Sequence, residues 1–214
     1  MSTYPLPQQE ATQPASPTMD AAVHPETNTG INSKKLGMWV FLASECLLFG
    51  TLIGTYIVYV GQSVTGPLPQ DLFDIPLTTL FTFVLLTSSL TVVLADQAAR
   101  QGNVGKLRLW LAATVLLGLS FLGFQFFEYK HFIEAGLFLK TNLFGSTFYV
   151  LTGFHGVHVS IGVIWFLSLL ISSLRGNKRA VNATNVELAG LYWHFVDIVW
   201  IVVFGVVYLM SEIG

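Results

Sequence analysis

The sequence has few charged side chains for its length. Charged residues make up 10% of its 214 residues and hydrophobic residues 53%, whereas a soluble domain carries about 25% charged residues. The mean hydropathy is +0.64, which is more apolar surface than a single water-soluble core can bury. Part of the solvent around this chain is therefore lipid.

Cysteine and basic charge are also scarce. Cys46 is the single cysteine and lies within an apolar run, which excludes an internal disulfide and a Cys-rich metal site. The formal net charge is −2, which excludes a broad basic surface. Nucleic acid is therefore not an expected partner.

The beginning of the chain differs in kind from the rest. Residues 1–33 contain no Lys or Arg and lack the basic and apolar regions of a secretory signal. They are rich in Pro, Gln, Thr, Ser and Ala, which cannot bury enough apolar surface to order themselves. We predict a disordered polar tail at 1–33 and a transmembrane domain at 34–214.

Five apolar segments follow, each long enough to cross a bilayer core, which takes roughly 20 residues. Because lipid offers no partner to unpaired backbone groups, we expect helices rather than irregular chain. The fold class predicted is an all-α bundle of five transmembrane helices. Their expected bounds are about 36–60, 77–95, 107–127, 146–174 and 188–210.

Basic residues fall mostly on one side of this arrangement. Of the ten Lys and Arg residues, eight precede the first segment or lie in the second and fourth connections. Only Lys130 and Lys140 fall on the other side. The positive-inside rule then predicts a cytoplasmic N-terminus and an outer C-terminus.

Seven polar side chains lie inside the apolar segments, where each needs an explanation because burial in lipid is costly. Several are spaced by three residues, which places them on one helix face. Depth alone suggests that Glu45 pairs with His194, and that Glu128 forms an outer cluster with His155 and His158. The candidate residues are Glu45, Gln125, Glu128, His155, His158, His194 and Asp197.

Four interpretations of these residues stay open. They are a haem site with His ligands on facing helices, a proton relay, a metal held by His155 and His158, and hydrogen bonding between helices. The last is the interpretation that we favour. Glu45 is the candidate most closely tied to proton behaviour, because it is a carboxylate inside an apolar segment.

Several motifs resemble subunit III of haem–copper terminal oxidases, and they agree in order and spacing from about Lys35 to Met210. The long ones are Gly145-Ser-Thr-Phe-Tyr-Val-Leu-Thr-Gly-Phe-His-Gly-Val-His158 and Tyr192-Trp-His-Phe-Val-Asp-Ile-Val-Trp200. The shorter ones are Gln125-Phe-Phe-Glu-Tyr129, Ser44-Glu45, Pro76-Leu77 and Thr87-Ser-Ser89.

The resemblance implies a bacterial plasma-membrane protein without catalytic residues, haem or copper of its own. It implies direct contact with a catalytic subunit I that holds the haems and one copper, and assembly with a subunit II that receives electrons. It also implies bound phospholipid and support of proton uptake in an enzyme that reduces oxygen to water and pumps protons. Membership of a respiratory supercomplex stays open.

The chain resembles the short, five-helix bacterial form of that family, because the polar tail stands where the long form has two further helices. The Gly145–Tyr149 stretch is more similar to the cytochrome c oxidases than to the quinol oxidases, which remain the alternative. Two rivals are a proton-coupled transporter and a b-type haem anchor. A transporter would usually show discontinuous helices or paired halves, and the sequence has neither.

Overall fold

The computed structural model describes residues 33–63, 66, 73–177 and 182–209. Its elements are the helices α1 (Ser33–Tyr59), α2 (Ile75–Arg100), α3 (Val104–Glu134), α4 (Leu143–Leu174) and α5 (Ala183–Val203). The last helix continues as a π-helical segment, Phe204–Leu209. All five are long and apolar enough to cross a membrane, which confirms the predicted all-α bundle of five transmembrane helices.

Most of the helices extend further than the apolar runs indicated. Helices α2, α3, α4 and α5 each begin at an Asp or Asn whose side chain accepts a hydrogen bond from a backbone N–H three residues on. Such N-caps satisfy donors that the first turn leaves unpaired. The capped turns are partly polar, so hydropathy alone missed them.

Glycines end three of the helices. Gly102, Gly136 and Gly176 have positive φ angles of 67°, 87° and 73°, a conformation that costs glycine little. At each of them a pair of backbone bonds closes the last turn, as in Gly102 N to Ala99 O and Asn103 N to Ala98 O. This is the Schellman arrangement, and it lets α2 turn into α3 within three residues.

Four of the helices form a closed ring, in the order α2, α3, α4, α5 and back to α2. Helix α1 lies outside the ring against α4 and α5. Its buried residues are Leu42, Phe49 and Tyr56, a single stripe with a seven-residue spacing. Helix α1 is therefore the most peripheral of the five.

The predicted tail at 1–33 lies outside the described residues, apart from Ser33, which begins α1. The division of the chain into a tail and a single domain at 34–214 stays a prediction. Within that domain, residues 64–65, 67–72, 178–181 and 210–214 are not described.

Candidate functional site: polar contacts between the helices

Glu45 of α1 contacts His158 of α4. Its Oε2 lies 3.1 Å from His158 Nε2, and the opposite ring nitrogen, Nδ1, lies 2.8 Å from the Phe154 carbonyl. A carbonyl only accepts, so Nδ1 donates and the neutral ring has a bare Nε2. The contact with Glu45 then holds one proton, carried either by the carboxyl or by the imidazole.

This pairing corrects the expectation from depth, which matched Glu45 with His194. His194 lies at a similar depth, but its ring faces α2, where Nδ1 is 2.8 Å from Ser89 Oγ. Counting residues fixes the height of a side chain along the helix and leaves its direction around the axis open. His158 faces α1 instead, where Phe49 packs edge-on against its ring.

His194, Ser89 and Asp197 form a second contact, between α5 and α2. The Ser89 hydroxyl donates to Asp197 Oδ2. Because that hydroxyl has one hydrogen, His194 Nδ1 is the donor in the remaining bond. Asp197 is buried, and its Oδ1 has no hydrogen-bond partner among the described residues.

Glu128 of α3 lies towards the end of the bundle at which α3 ends. Tyr208 donates to its Oε2 at 2.9 Å and Thr78 to its Oε1 at 3.3 Å. Glu128 therefore joins α3 to α2 and to the π-helical end of the last helix. The tyrosine lies in the segment Phe204–Leu209, whose wider turn follows directly on α5.

The expected outer cluster of Glu128 with His155 and His158 is wrong. Glu128 lies six residues from the end of α3, about 9 Å along the axis, whereas His155 lies twelve residues into α4, about 18 Å. The start of α4 at Leu143, earlier than the apolar run indicated, moves both histidines towards the middle of the bundle.

His155 is fully buried and faces a different neighbour from His158. Its Nε2 lies 3.3 Å from the Val196 carbonyl, and its ring packs against Trp200 with centroids 4.7 Å apart. The two histidines do not converge on one point. No group of three or more His, Cys, Asp or Glu side chains within the described ranges is placed to share a metal ion.

Gln125 completes the set of predicted residues. Its Nε2 donates to the Thr152 carbonyl at 2.9 Å and to the Tyr129 hydroxyl at 3.3 Å, joining α3 to α4. Gly156 of α4 leaves room for the Gln125 side chain, because a Cβ at that position would lie 2.7 Å from Gln125 Oε1.

Hydroxyl groups are the partners that the sequence reasoning did not name as site residues. The signal was present on α2, where buried Thr and Ser recur at helical spacing. Five of its hydroxyls contact α3 or α5, and each contact is between side chains. They are those of Thr78, Thr82, Ser88, Ser89 and Thr91.

By fold and site, the chain is thus a multi-pass helical membrane protein whose intramembrane polar groups join its own helices. Comparison with known proteins gives the family. Residues 18–212 match the family described as Cytochrome c oxidase subunit III.

Three relatives are similar over most of this chain. Cytochrome c oxidase subunit 3 of Alkalihalophilus pseudofirmus is 43% identical over 89% of this chain and 94% of its own length. The protein of the same name from Bacillus sp. (strain PS3) is 40% identical over 89% and 93%. Probable quinol oxidase subunit 3 of Staphylococcus saprophyticus is 39% identical over 85% and 91%.

The chain belongs to the subunit III family of haem–copper terminal oxidases. It is accordingly a multi-pass protein of the bacterial plasma membrane and one subunit of a terminal oxidase complex. Relatives named for cytochrome c and for quinol both match it, so the family alone leaves the electron donor open.

Proposed function

We propose that this chain is subunit III of a proton-pumping cytochrome c oxidase, without a redox group or active site of its own. Its role is to stabilise the catalytic subunit I, to support proton uptake and to bind phospholipid. One observation carries the proposal: all seven predicted polar side chains contact a neighbouring helix of the same chain. Groups engaged in this way hold a bundle together.

Purification through this chain in a mild detergent tests the proposal. We expect haem absorption, oxygen consumption and subunits I and II, identified by mass spectrometry, to co-purify with it. A colourless preparation that contains this chain alone would contradict the assignment. Transport by the isolated chain in liposomes would then favour the transporter.

The proposal also specifies the electron donor of the complex, which is cytochrome c. The Gly145–Tyr149 stretch supports cytochrome c, whereas relatives named quinol oxidase subunit 3 favour the second candidate, a quinol oxidase. Oxygen consumption by the purified complex with reduced cytochrome c and with a quinol decides between them. Turnover with quinol alone would reject the cytochrome c type.

Glu45 is proposed as the residue tied to proton behaviour, because its contact with His158 holds a proton that either partner can carry. In a Glu45→Gln variant the amide N–H can still donate to His158, so the helices stay joined but the carboxyl proton is gone. We expect an assembled complex that inactivates faster during turnover or takes up protons more slowly.

Thr51→Ala is the matched control for that variant. Thr51 is exposed on the same helix, and among the described residues its hydroxyl bonds only to the Leu47 carbonyl one turn back. Unchanged turnover, proton stoichiometry and inactivation rate in Glu45→Gln would show that the pair is structural alone.

A further inference from the structure

A cavity of about 430 Å³ opens at the end of the bundle that carries the α2–α3 and α4–α5 connections. We name it the corner cavity. Three helices contribute to it: α2 through Ala98 and Ala99, α3 through Leu107 and Arg108, and α4 through Ser173, with Gly176 just beyond it. Its size falls within the range of small-ligand sites, about 300–1,000 Å³.

Arg108 is the charged group of the corner cavity and is held in a fixed position. Its Nε donates to Ser173 Oγ at 3.1 Å and its Nη2 to the Ser173 carbonyl at 2.6 Å. These bonds use two of the five guanidinium N–H donors. No carboxylate in the described part of the chain forms an ion pair with it.

The surroundings of the corner cavity are positive towards the connections and apolar towards the membrane. Lys106 and Arg175, both exposed, lie within two residues of the Arg108–Ser173 contact and have no ion-pair partner among the described residues. Leu109 and Leu174, next to the same contact, are 62% and 61% exposed. The site therefore offers positive charge on one side and lipid-facing apolar surface on the other.

We propose that the corner cavity binds the phosphate headgroup of an anionic phospholipid, with Arg108 as the phosphate contact. A guanidinium with free donors suits phosphate oxygens, and basic pockets between transmembrane helices on the cytoplasmic side bind anionic headgroups. The acyl chains lie outside the cavity along the apolar surface that begins at Leu109 and Leu174. The inference rests on the proposed function for the cytoplasmic side and for the complex in which it is tested.

Lipid retention by the purified oxidase complex tests the proposal. The complex is reconstituted into phosphatidylcholine vesicles that contain phosphatidylglycerol, extracted again and analysed by native mass spectrometry. We expect Arg108→Gln to lower the retained phosphatidylglycerol roughly tenfold, since a hydrogen bond to a charged group contributes about that factor. Lys140→Gln, which removes the same charge at the opposite end of the bundle, should leave it unchanged.

A second variant covers the case in which Arg108→Gln weakens the fold. Ala99→Leu fills the corner cavity from α2 and leaves Arg108 and Ser173 in place, so it should also displace the lipid. Equal retention of phosphatidylglycerol by the wild type and both variants would overturn the proposal. So would equal retention of phosphatidylcholine and phosphatidylglycerol.

Inorganic phosphate distinguishes a lipid headgroup from a free anion. We expect an excess of it to leave the bound phosphatidylglycerol in place, because a free anion lacks the acyl chains. If inorganic phosphate displaces phosphatidylglycerol from the wild type but not from the Arg108→Gln variant, the site binds a free anion and the lipid proposal is rejected. If the purified complex is coloured and active but holds no lipid that depends on Arg108, the lipid site at the corner cavity is wrong and the proposed function stands. If the preparation is colourless, the proposed function is wrong.

Discussion

Trp193 shows how single residues determine the packing of this bundle. Its indole lies against two glycines: a Cβ on Gly162 would lie 2.6 Å from the ring, and one on Gly118 would lie 2.9 Å from it. Its Nε1 donates to Ser88 Oγ at 2.8 Å. The indole is fully buried, and the glycines on α3 and α4 are what let it fill the centre of the ring.

We therefore expect Gly162→Ala to destabilise the chain. A methyl group at that position overlaps the Trp193 ring, and the indole cannot move without losing its bond to Ser88. Overpacking of this kind costs about 1–3 kcal/mol. The measurement is the temperature at which half of this chain has dissociated from the purified complex, which should fall.

Gly123→Ala is the control for that substitution. Gly123 is also a helical glycine, but a Cβ there meets no atom within 4 Å. Since Ala is favoured over Gly in a helix by about 1 kcal/mol, the control should be neutral or slightly stabilised. Similar losses in both variants would show that the contact with Trp193 is not what matters.

At the scale of elements, α2 supplies five hydroxyl groups that contact the neighbouring helices α3 and α5. Ser89 is central, because the Asp197 carboxyl and the His194 ring both bond to it. Buried polar groups left without partners cost about 1–3 kcal/mol each. Two of the polar contacts between α2 and α5 therefore depend on one hydroxyl group, beside the separate contacts of Ser88 and Thr82 with tryptophans of α5.

Ser89→Ala should weaken the α2–α5 interface by about 1–3 kcal/mol, because Asp197 and His194 both lose their partner. The same dissociation temperature measures the effect. Thr87→Ala is the control, because the Thr87 hydroxyl is exposed and bonds to the Phe83 carbonyl of its own helix. A Ser89→Ala variant as stable as this control would contradict the role given to the hydroxyl.

The elements themselves could be predicted from the sequence, whereas their side-chain partners could not. An apolar run of about 20 residues has one stable form in lipid, so hydropathy predicted all five helices. The direction in which a side chain points around its helix depends on the packing of its neighbours. Glu45 was therefore placed at a reasonable depth and given the wrong partner. The histidines expected beside Glu128 were placed too near the outer end, because the capped first turn of α4 begins earlier than its apolar run.

At the scale of the whole molecule, the two ends of the bundle differ. At one end Glu187 of α5 binds Lys35 of α1 at 2.6 Å and Arg100 of α2 at 3.0 Å, and Arg100 also contacts Asp96. This ion-pair network ties the peripheral α1 to the ring. The opposite end has Lys130 and Lys140 as its basic residues, so charge distinguishes the two sides.

That asymmetry predicts how the chain lies in the membrane. Because the number of spans is odd, the chain enters the first span and leaves the last one on opposite sides of the membrane. The basic end, which carries the α2–α3 connection, should face the cytoplasm. Gln62 after α1 and Gln101 after α2 are both exposed and lie at opposite ends.

Cysteine labelling in intact cells measures this orientation. In a Cys46→Ala background, a membrane-impermeant maleimide should label the Gln62→Cys variant and leave the Gln101→Cys variant unlabelled until the membrane is opened. The reverse pattern would place the basic end outside. It would also put the corner cavity in the outer leaflet, so this experiment tests the proposed orientation and the assumption behind the lipid site together.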